Sequence, residues 1–149
     1  MKTLRLVPPV YFVLALGLSL ALHRWLPVAQ LVVPPWRWAG LLLFAPVLAL
    51  GVSAARAFSR RGTTLHPFGQ PSALVVEGAY RYSRNPLYLG LALLLLATAI
   101  FLGSLTPFLV VPAFMGAVSS AFIRREERAL EAAFGAQYRD YCQRVRRWL

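Results

Sequence analysis

Thirty-nine consecutive residues, Asn85 to Ile123, carry no charge, and both ends of the run are densely polar. A helix rises about 1.5 Å per residue, so one helix here would reach roughly 58 Å, about twice the thickness of a hydrocarbon core. The run must therefore cross, turn and return. The turn falls at Gly103-Ser-Leu-Thr-Pro107, where Gly and Pro break a helix and Thr106 can cap the next one. Folding this hairpin carries Gly78-Ala-Tyr-Arg-Tyr-Ser-Arg-Asn-Pro-Leu-Tyr-Leu-Gly90 and Arg124-Arg-Glu-Glu-Arg128 to the same face of a membrane.

The rest of the chain is of the same kind. With 58% hydrophobic and 14% charged residues it fits a membrane class better than a soluble domain. Two more uncharged runs, Leu6–Leu22 (17 residues) and Trp38–Ala55 (18 residues), sit near the spanning limit. Lys2 and Arg5 precede the first as in a signal peptide, but Leu22-His-Arg-Trp-Leu-Pro27 is unlike a cleavage site. Pro8 and Pro9 suit a helix start, and Pro46 and Pro112 should kink the second and fourth helices. The expected fold is all-α integral membrane, a single domain over residues 1–149. It has about four transmembrane helices, or an extra re-entrant segment, with a C-terminal amphipathic helix and a structured cytoplasmic loop.

Orientation follows from charge. With four spans, fourteen of the sixteen basic residues fall on one side, leaving only Arg24 and Arg37 on the other. The positive-inside rule puts both termini and the long middle loop in the cytoplasm, in a bacterial-type inner or plasma membrane. The net charge of +11 then needs no nucleic-acid partner, since orientation and anionic headgroups account for it. Trp25, Trp36 and Trp38 read as interfacial anchors, and His23 as an interfacial residue. Cys142 is the only cysteine, and neither histidine has a metal-ligand spacing, so no metal site is expected. No P-loop or G-x-G-x-x-G occurs.

Three segments carry polar chemistry. The loop from Arg60 to Arg84 is long, but Leu65, Phe68, Leu74, Val75, Val76, Tyr80 and Tyr82 give it apolar anchors. It reads either as a folded cap on the bundle or as a plain surface loop. Ser83 or Asn85 can cap the third helix, with Pro86 in its first turn; the free N–H groups there favour an anionic ligand. Arg84 reads equally well as a snorkelling residue. In the tail, Leu130, Phe134, Tyr138, Tyr141, Val145 and Trp148 share a helical face that can lie on headgroups or fold back over the bundle, with Gly135 permitting a bend. Glu126 and Glu127 stand among arginines at the mouth, either as functional carboxylates or as simple partners of Arg124 and Arg128.

The order of these parts carries a resemblance. Thr63-Thr-Leu-His-Pro67, Leu74-Val-Val-Glu-Gly-Ala-Tyr80, Arg84-Asn-Pro-Leu-Tyr-Leu-Gly90, an uncharged hairpin, Glu126-Glu127-x-x-Leu130 and Phe134-Gly-x-x-Tyr138-x-x-Tyr141 follow one another. Over residues 62–148 this resembles the isoprenylcysteine carboxyl methyltransferase and phospholipid methyltransferase group of integral membrane enzymes. The resemblance implies S-adenosylmethionine as methyl donor, with His66, Leu74, Val75, Tyr80, Asn85, Pro86, Leu87 and Tyr88 as donor-site candidates. It implies Glu126, Glu127 and Arg84 as catalytic candidates and a lipidic or amphiphilic acceptor, prenylcysteine carboxylate-like or phospholipid amine-like. Asn85 stands where the prenylcysteine enzymes have histidine, and Phe122 where they have an arginine that helps hold the substrate carboxylate. The missing arginine counts against a prenylcysteine substrate, and the asparagine form looks more like the broader bacterial branch. The alternatives are a non-catalytic membrane assembly or anchoring protein, suited by small-residue pairs such as Ala113/Ala117 and Gly116/Ser120, and a different lipid transferase or isomerase.

Overall fold

The computed structural model describes residues 7–60 and 73–149, and is helical, with no strand among the described residues. Helix α1 (Pro8–Trp25) has its prolines in the first turn, where a missing N–H costs nothing. A 3-10 stretch, Trp36–Leu43, runs without a break into α2 (Phe44–Arg60). Pro46 lies in the first turn of α2, beside the change from 3-10 to α geometry within the continuous stretch Trp36–Arg60. Helix α3 (Pro86–Leu102) ends at Gly103, whose φ of 81° is the left-handed cap conformation. Helix α4 (Leu105–Val118) contains Pro112 and continues through a π-helical turn, Ser119–Ile123, into α5 (Arg124–Arg144).

Helix α3 is the centre: the 3-10 stretch, α2, α4 and α1 all pack on it, and α1 also packs on α4. Its small residues make that possible. Ala92, Ala97 and Ala99 are buried, and the 3-10 stretch comes so close that a Cβ on Gly40 would lie 2.6 Å from the Ala97 carbonyl oxygen. Towards the other side Leu95 is fully buried in a cluster with Ala15, Tyr88, Val110, Phe114, Val118, Phe122 and Ile123. The outer faces are the reverse of a soluble protein's. Val13, Leu14, Leu18 and Leu20 on α1 are exposed, as are Leu41, Leu42, Phe44 and Leu48 along the 3-10 stretch and α2. Apolar surface this extensive marks a membrane or partner face. Two helical stretches, Trp36–Arg60 and Leu105–Arg144, are long and apolar enough to cross a bilayer, and Pro86–Leu102 is apolar but shorter. At 17 residues it reaches about 26 Å, just short of a hydrocarbon core.

At one end of the bundle, the expected turn between α3 and α4 is tied to residues 23–37 in a collar. The Gly103 carbonyl accepts from the amides of Leu31 (2.7 Å) and Val32 (3.0 Å), and Leu105 N–H donates to Ala29 (2.9 Å). His23 Nδ1 and the buried Ser104 hydroxyl are hydrogen-bonded at 2.7 Å, so His23 belongs to this collar and not only to the interface. Thr106 does not cap α4. It lies within the first turn and donates to the Leu26 carbonyl at 2.9 Å, while Ser104 takes the capping position without a side-chain bond. The backbone here leaves no room beside the helix turn, because a Cβ on Gly103 would run into the Val32 carbonyl.

Candidate active site

The other end of the bundle gathers the acids and arginines. Asn85 sits at the capping position of α3 as expected, but its side chain makes no capping bond. Its Nδ2 instead donates to the Arg147 carbonyl at 3.0 Å. Ser83 Oγ, fully buried, accepts from the Asn85 N–H at 3.1 Å and donates to the same Arg147 carbonyl at 3.4 Å. Arg84 N–H donates to the Arg146 carbonyl at 3.0 Å. Residues 145–148 thus form a strap across the start of α3.

What brings the strap there is Gly135. Its φ of 50° and ψ of −118° break α5, so the tail folds back over the bundle instead of running on as one amphipathic face. Tyr138, Tyr141 and Val145 then bury themselves against Leu74, and Tyr141 donates its hydroxyl to the Tyr80 carbonyl at 2.7 Å. Tyr80 lies on a 3-10 turn, Gly78–Arg81, whose start is held by Ala79 N–H donating to Ser53 Oγ at 2.8 Å. Its ring meets Phe58 edge-on with centroids 5.7 Å apart. Burial, with Tyr141 and Glu126 nearby, pushes the Tyr80 phenol well above its ordinary range, which keeps it a neutral donor.

The two glutamates have different surroundings. Glu126 Oε1 accepts the Tyr88 hydroxyl at 2.8 Å. Tyr88 stacks on Phe122 at 6.4 Å, and Phe122 meets Tyr11 edge-on at 5.1 Å, so an aromatic wall from α1, α3 and the π turn lies beneath this carboxylate. Burial pushes the Glu126 carboxyl above its ordinary value; its hydrogen bond from Tyr88 opposes this, and the nearby Glu127 adds to it. Glu126 lies three residues beyond the uncharged run, at the edge of the bundle. Glu127 is instead saturated by cations. Arg147 grips it with Nε at 2.9 Å and a terminal nitrogen at 2.7 Å, and Arg84 approaches at 3.3 Å. The expected local partners, Arg124 and Arg128, are not used, since on a helix continuing from the π turn the long-range cations reach further inward.

Arg84 does not snorkel. Its side chain is only 16% exposed, and besides Glu127 it reaches Cys142 Sγ at 2.7 Å and the Tyr138 hydroxyl at 3.5 Å. Its Nε is buried and has no hydrogen-bond partner among the described residues. A buried donor left unpaired costs about 1–3 kcal/mol, so such groups in native sites commonly await a ligand or water.

Residues 35–137 match the profile of the phospholipid methyltransferase family. The chain belongs to that family. An uncharacterised protein of Haemophilus influenzae is 46% identical over 63 residues, which is 42% of this chain and all of that relative. No solved structure matches it.

In this phospholipid methyltransferase family member the sequence candidates are not all brought together. Arg84, Asn85, Tyr88, Glu126 and Glu127 converge at the mouth, and Leu74, Val75, Tyr80 and Pro86 are mostly buried around it. Leu87 is 39% exposed and is not in these contacts. His66 lies outside the described residues. Three participants went unnoticed in the sequence: Arg147, Tyr11 and the strap carbonyls. Arg147 is twenty residues from Glu127, and nothing local marks it as its partner. The strap also lies past residue 137, beyond the family match. Among the described residues, no group of three His, Cys, Asp or Glu side chains is placed to hold a metal.

Proposed function

We propose that this chain is an integral membrane, S-adenosylmethionine-dependent methyltransferase acting on a lipidic or small amphiphilic acceptor at the cytoplasmic face. In this reading α1, the 3-10 stretch with α2, α3 and α4 cross the bilayer, and both termini lie in the cytoplasm. The observation that carries it is the partly buried Tyr88–Glu126 contact over an aromatic wall, in a family of methyltransferases.

The residues present suit the donor. Bound S-adenosylmethionine supplies a methyl group activated on a sulfonium. Arg84, with its unpaired buried Nε, offers a cation and a donor for a carboxylate. Asn85 adds an amide, Leu74 and Val75 an apolar wall, and Tyr88 with Phe122 a pair of ring faces of the kind that attract cations. Methyl transfer is an in-line displacement, and holding reactants in line can contribute about 7–11 kcal/mol. Tyr88 orients Glu126 through Oε1. Among the described residues no bond engages Oε2, which is available to balance positive charge or to take a proton from an amine or thiol acceptor. The raised affinity of Glu126 for protons suits the second role. An acceptor carboxylate would need no base.

Titrating the purified chain in detergent with S-adenosylmethionine tests this. Saturable binding that weakens in Tyr88→Ala and Asn85→Ala is expected; wild type that does not bind would leave the anchoring role in its place. In a Cys142→Ser background, labelling a cysteine placed at the exposed Val33 only from outside the cell, and one at the exposed Gln143 only from inside, would support the topology.

A further inference from the structure

Beside the mouth, on the outer side of the Glu127–Arg147 pair, lies an open groove of about 480 Å³ lined by Ser120, Arg124, Glu127, Arg128, Glu131 and Arg147. Neither Glu126 nor Tyr88 lines it. The charges in it do not balance locally. Both Glu127 oxygens are already taken by Arg147 and Arg84, and Glu131 faces Arg139 at 3.7 Å. No carboxylate of the described residues pairs with Arg124 or Arg128, and both are exposed. Arg128 Nε donates to the Arg124 carbonyl at 3.2 Å, which lays its guanidinium back along α5 towards Arg124, with no partner for the terminal nitrogens among the described residues. Two planar forks on one wall, neither paired with an acid among the described residues, suit the oxygens of a phosphate.

Its depth selects among phosphates. Ser120 lies within the uncharged run and Arg124 is the first charge after it. From Ser120 to Arg128 a helix rises about 12 Å, and the headgroup layer on each side of a bilayer is about 5–8 Å thick. The groove therefore runs from the edge of the hydrocarbon through the level at which lipid phosphates lie. We propose that it binds the headgroup phosphate of an anionic phospholipid, as a site separate from the reacting centre. The proposal rests on the bundle lying in a bilayer, not on methyl transfer, so it stands or falls independently of donor binding.

The test is lipid retention by the full chain in phosphatidylcholine nanodiscs with and without phosphatidylglycerol, read by native mass spectrometry. Wild type is expected to keep phosphatidylglycerol over phosphatidylcholine. The variant carrying both Arg124→Gln and Arg128→Gln should lose at least about tenfold in that preference. Each single substitution should lose an intermediate amount, which keeps the test open if the double variant misfolds. A variant with Arg125→Gln and Arg144→Gln, the same charge removed from α5 outside the groove, should keep the preference. Equal losses in both double variants would reduce the effect to net charge and overturn the site. Displacement of the lipid by inorganic phosphate or glycerophosphate at similar concentrations would make the ligand a free phosphate and overturn the lipid assignment.

Discussion

The two ends of α3 do the same mechanical job with opposite materials. At Gly103 the helix is fastened to residues 23–37 by backbone bonds and neutral hydroxyls, with His23 the one titratable partner of Ser104. At Asn85 it is fastened to residues 145–148, again through carbonyls, but the surroundings hold Arg84, Arg147, Glu126 and Glu127. A fastening needs only hydrogen bonds. Buried charge is expensive, and burial at the second end raises the Glu126 carboxyl above its ordinary range. The collar is thus sufficient as structure, whereas the mouth carries more charge than structure requires. That surplus is what a site for charge redistribution needs.

Glu126→Gln should separate the two most strongly. Single-turnover methyl transfer, assayed with a mixed-lipid and isoprenyl-thiol panel of acceptors, is expected to fall by about 10²-fold or more, as when a preorganised electrostatic group is lost. Stability should move the other way. A carboxyl raised on folding stabilises the folded state below its unfolded value near 4.5, and that contribution is lost as pH rises through the folded value. At neutral pH the glutamine variant should therefore be at least as stable as wild type in detergent melts. A variant that is both unstable and slow would assign Glu126 to architecture.

The reverse experiment is Gly103→Ala. With φ at 81° and the Val32 carbonyl in the way, alanine must shift the collar, at a cost above about 1 kcal/mol. Melting should fall accordingly, while donor affinity of the folded fraction stays unchanged. Reduced affinity would mean that the two ends are coupled through α3.

The hairpin, its Gly103 stop and the meeting of Arg84, Asn85 and Tyr88 with the glutamates were legible because an uncharged run twice too long for one crossing admits only one outcome. Pairings were not. Local spacing offered Arg124 and Arg128 to the acids, yet the π turn and the Gly135 break delivered Arg147 from the strap. A bend at Gly135 was legible but which partner it would deliver was not, and a π turn adds a residue without changing composition. The 3-10 geometry of Trp36–Leu43 was equally hidden, since apolar runs do not distinguish 3-10 from α.

Arg147→Ala sharpens the comparison at intermediate size. It leaves Glu127 with Arg84 alone and removes the strap's side-chain anchor, though Trp148 still packs on the core and the carbonyl bonds remain possible. The Arg147 side chain is 38% exposed, so solvent screening holds the expected loss to about 1 kcal/mol. Hydrogen exchange at the Arg84 amide, which donates to Arg146, should accelerate, whereas exchange at Leu31, in the collar, should not. Acceleration at both would show global rather than local opening.

The smallest effect is expected at Glu131. It is an acid on the same helix, five residues beyond Glu126, and it faces an arginine instead of a tyrosine, so it controls for the presence of a carboxylate on that helix. The difference is exposure. Glu131 and Arg139 are 53% and 61% exposed at a separation of 3.7 Å, in the range where an ion pair contributes about 0–1 kcal/mol. Glu131→Gln should leave melting, donor affinity and single-turnover rate near wild type. Equal losses of rate from Glu131→Gln and Glu126→Gln would mean that the mouth needs negative charge in general. The Tyr88 hydrogen bond would then have no special part in the chemistry. Loss at Glu126 alone ties the chemistry to the partly buried carboxylate that is held by a tyrosine and, among the described residues, pairs with no arginine.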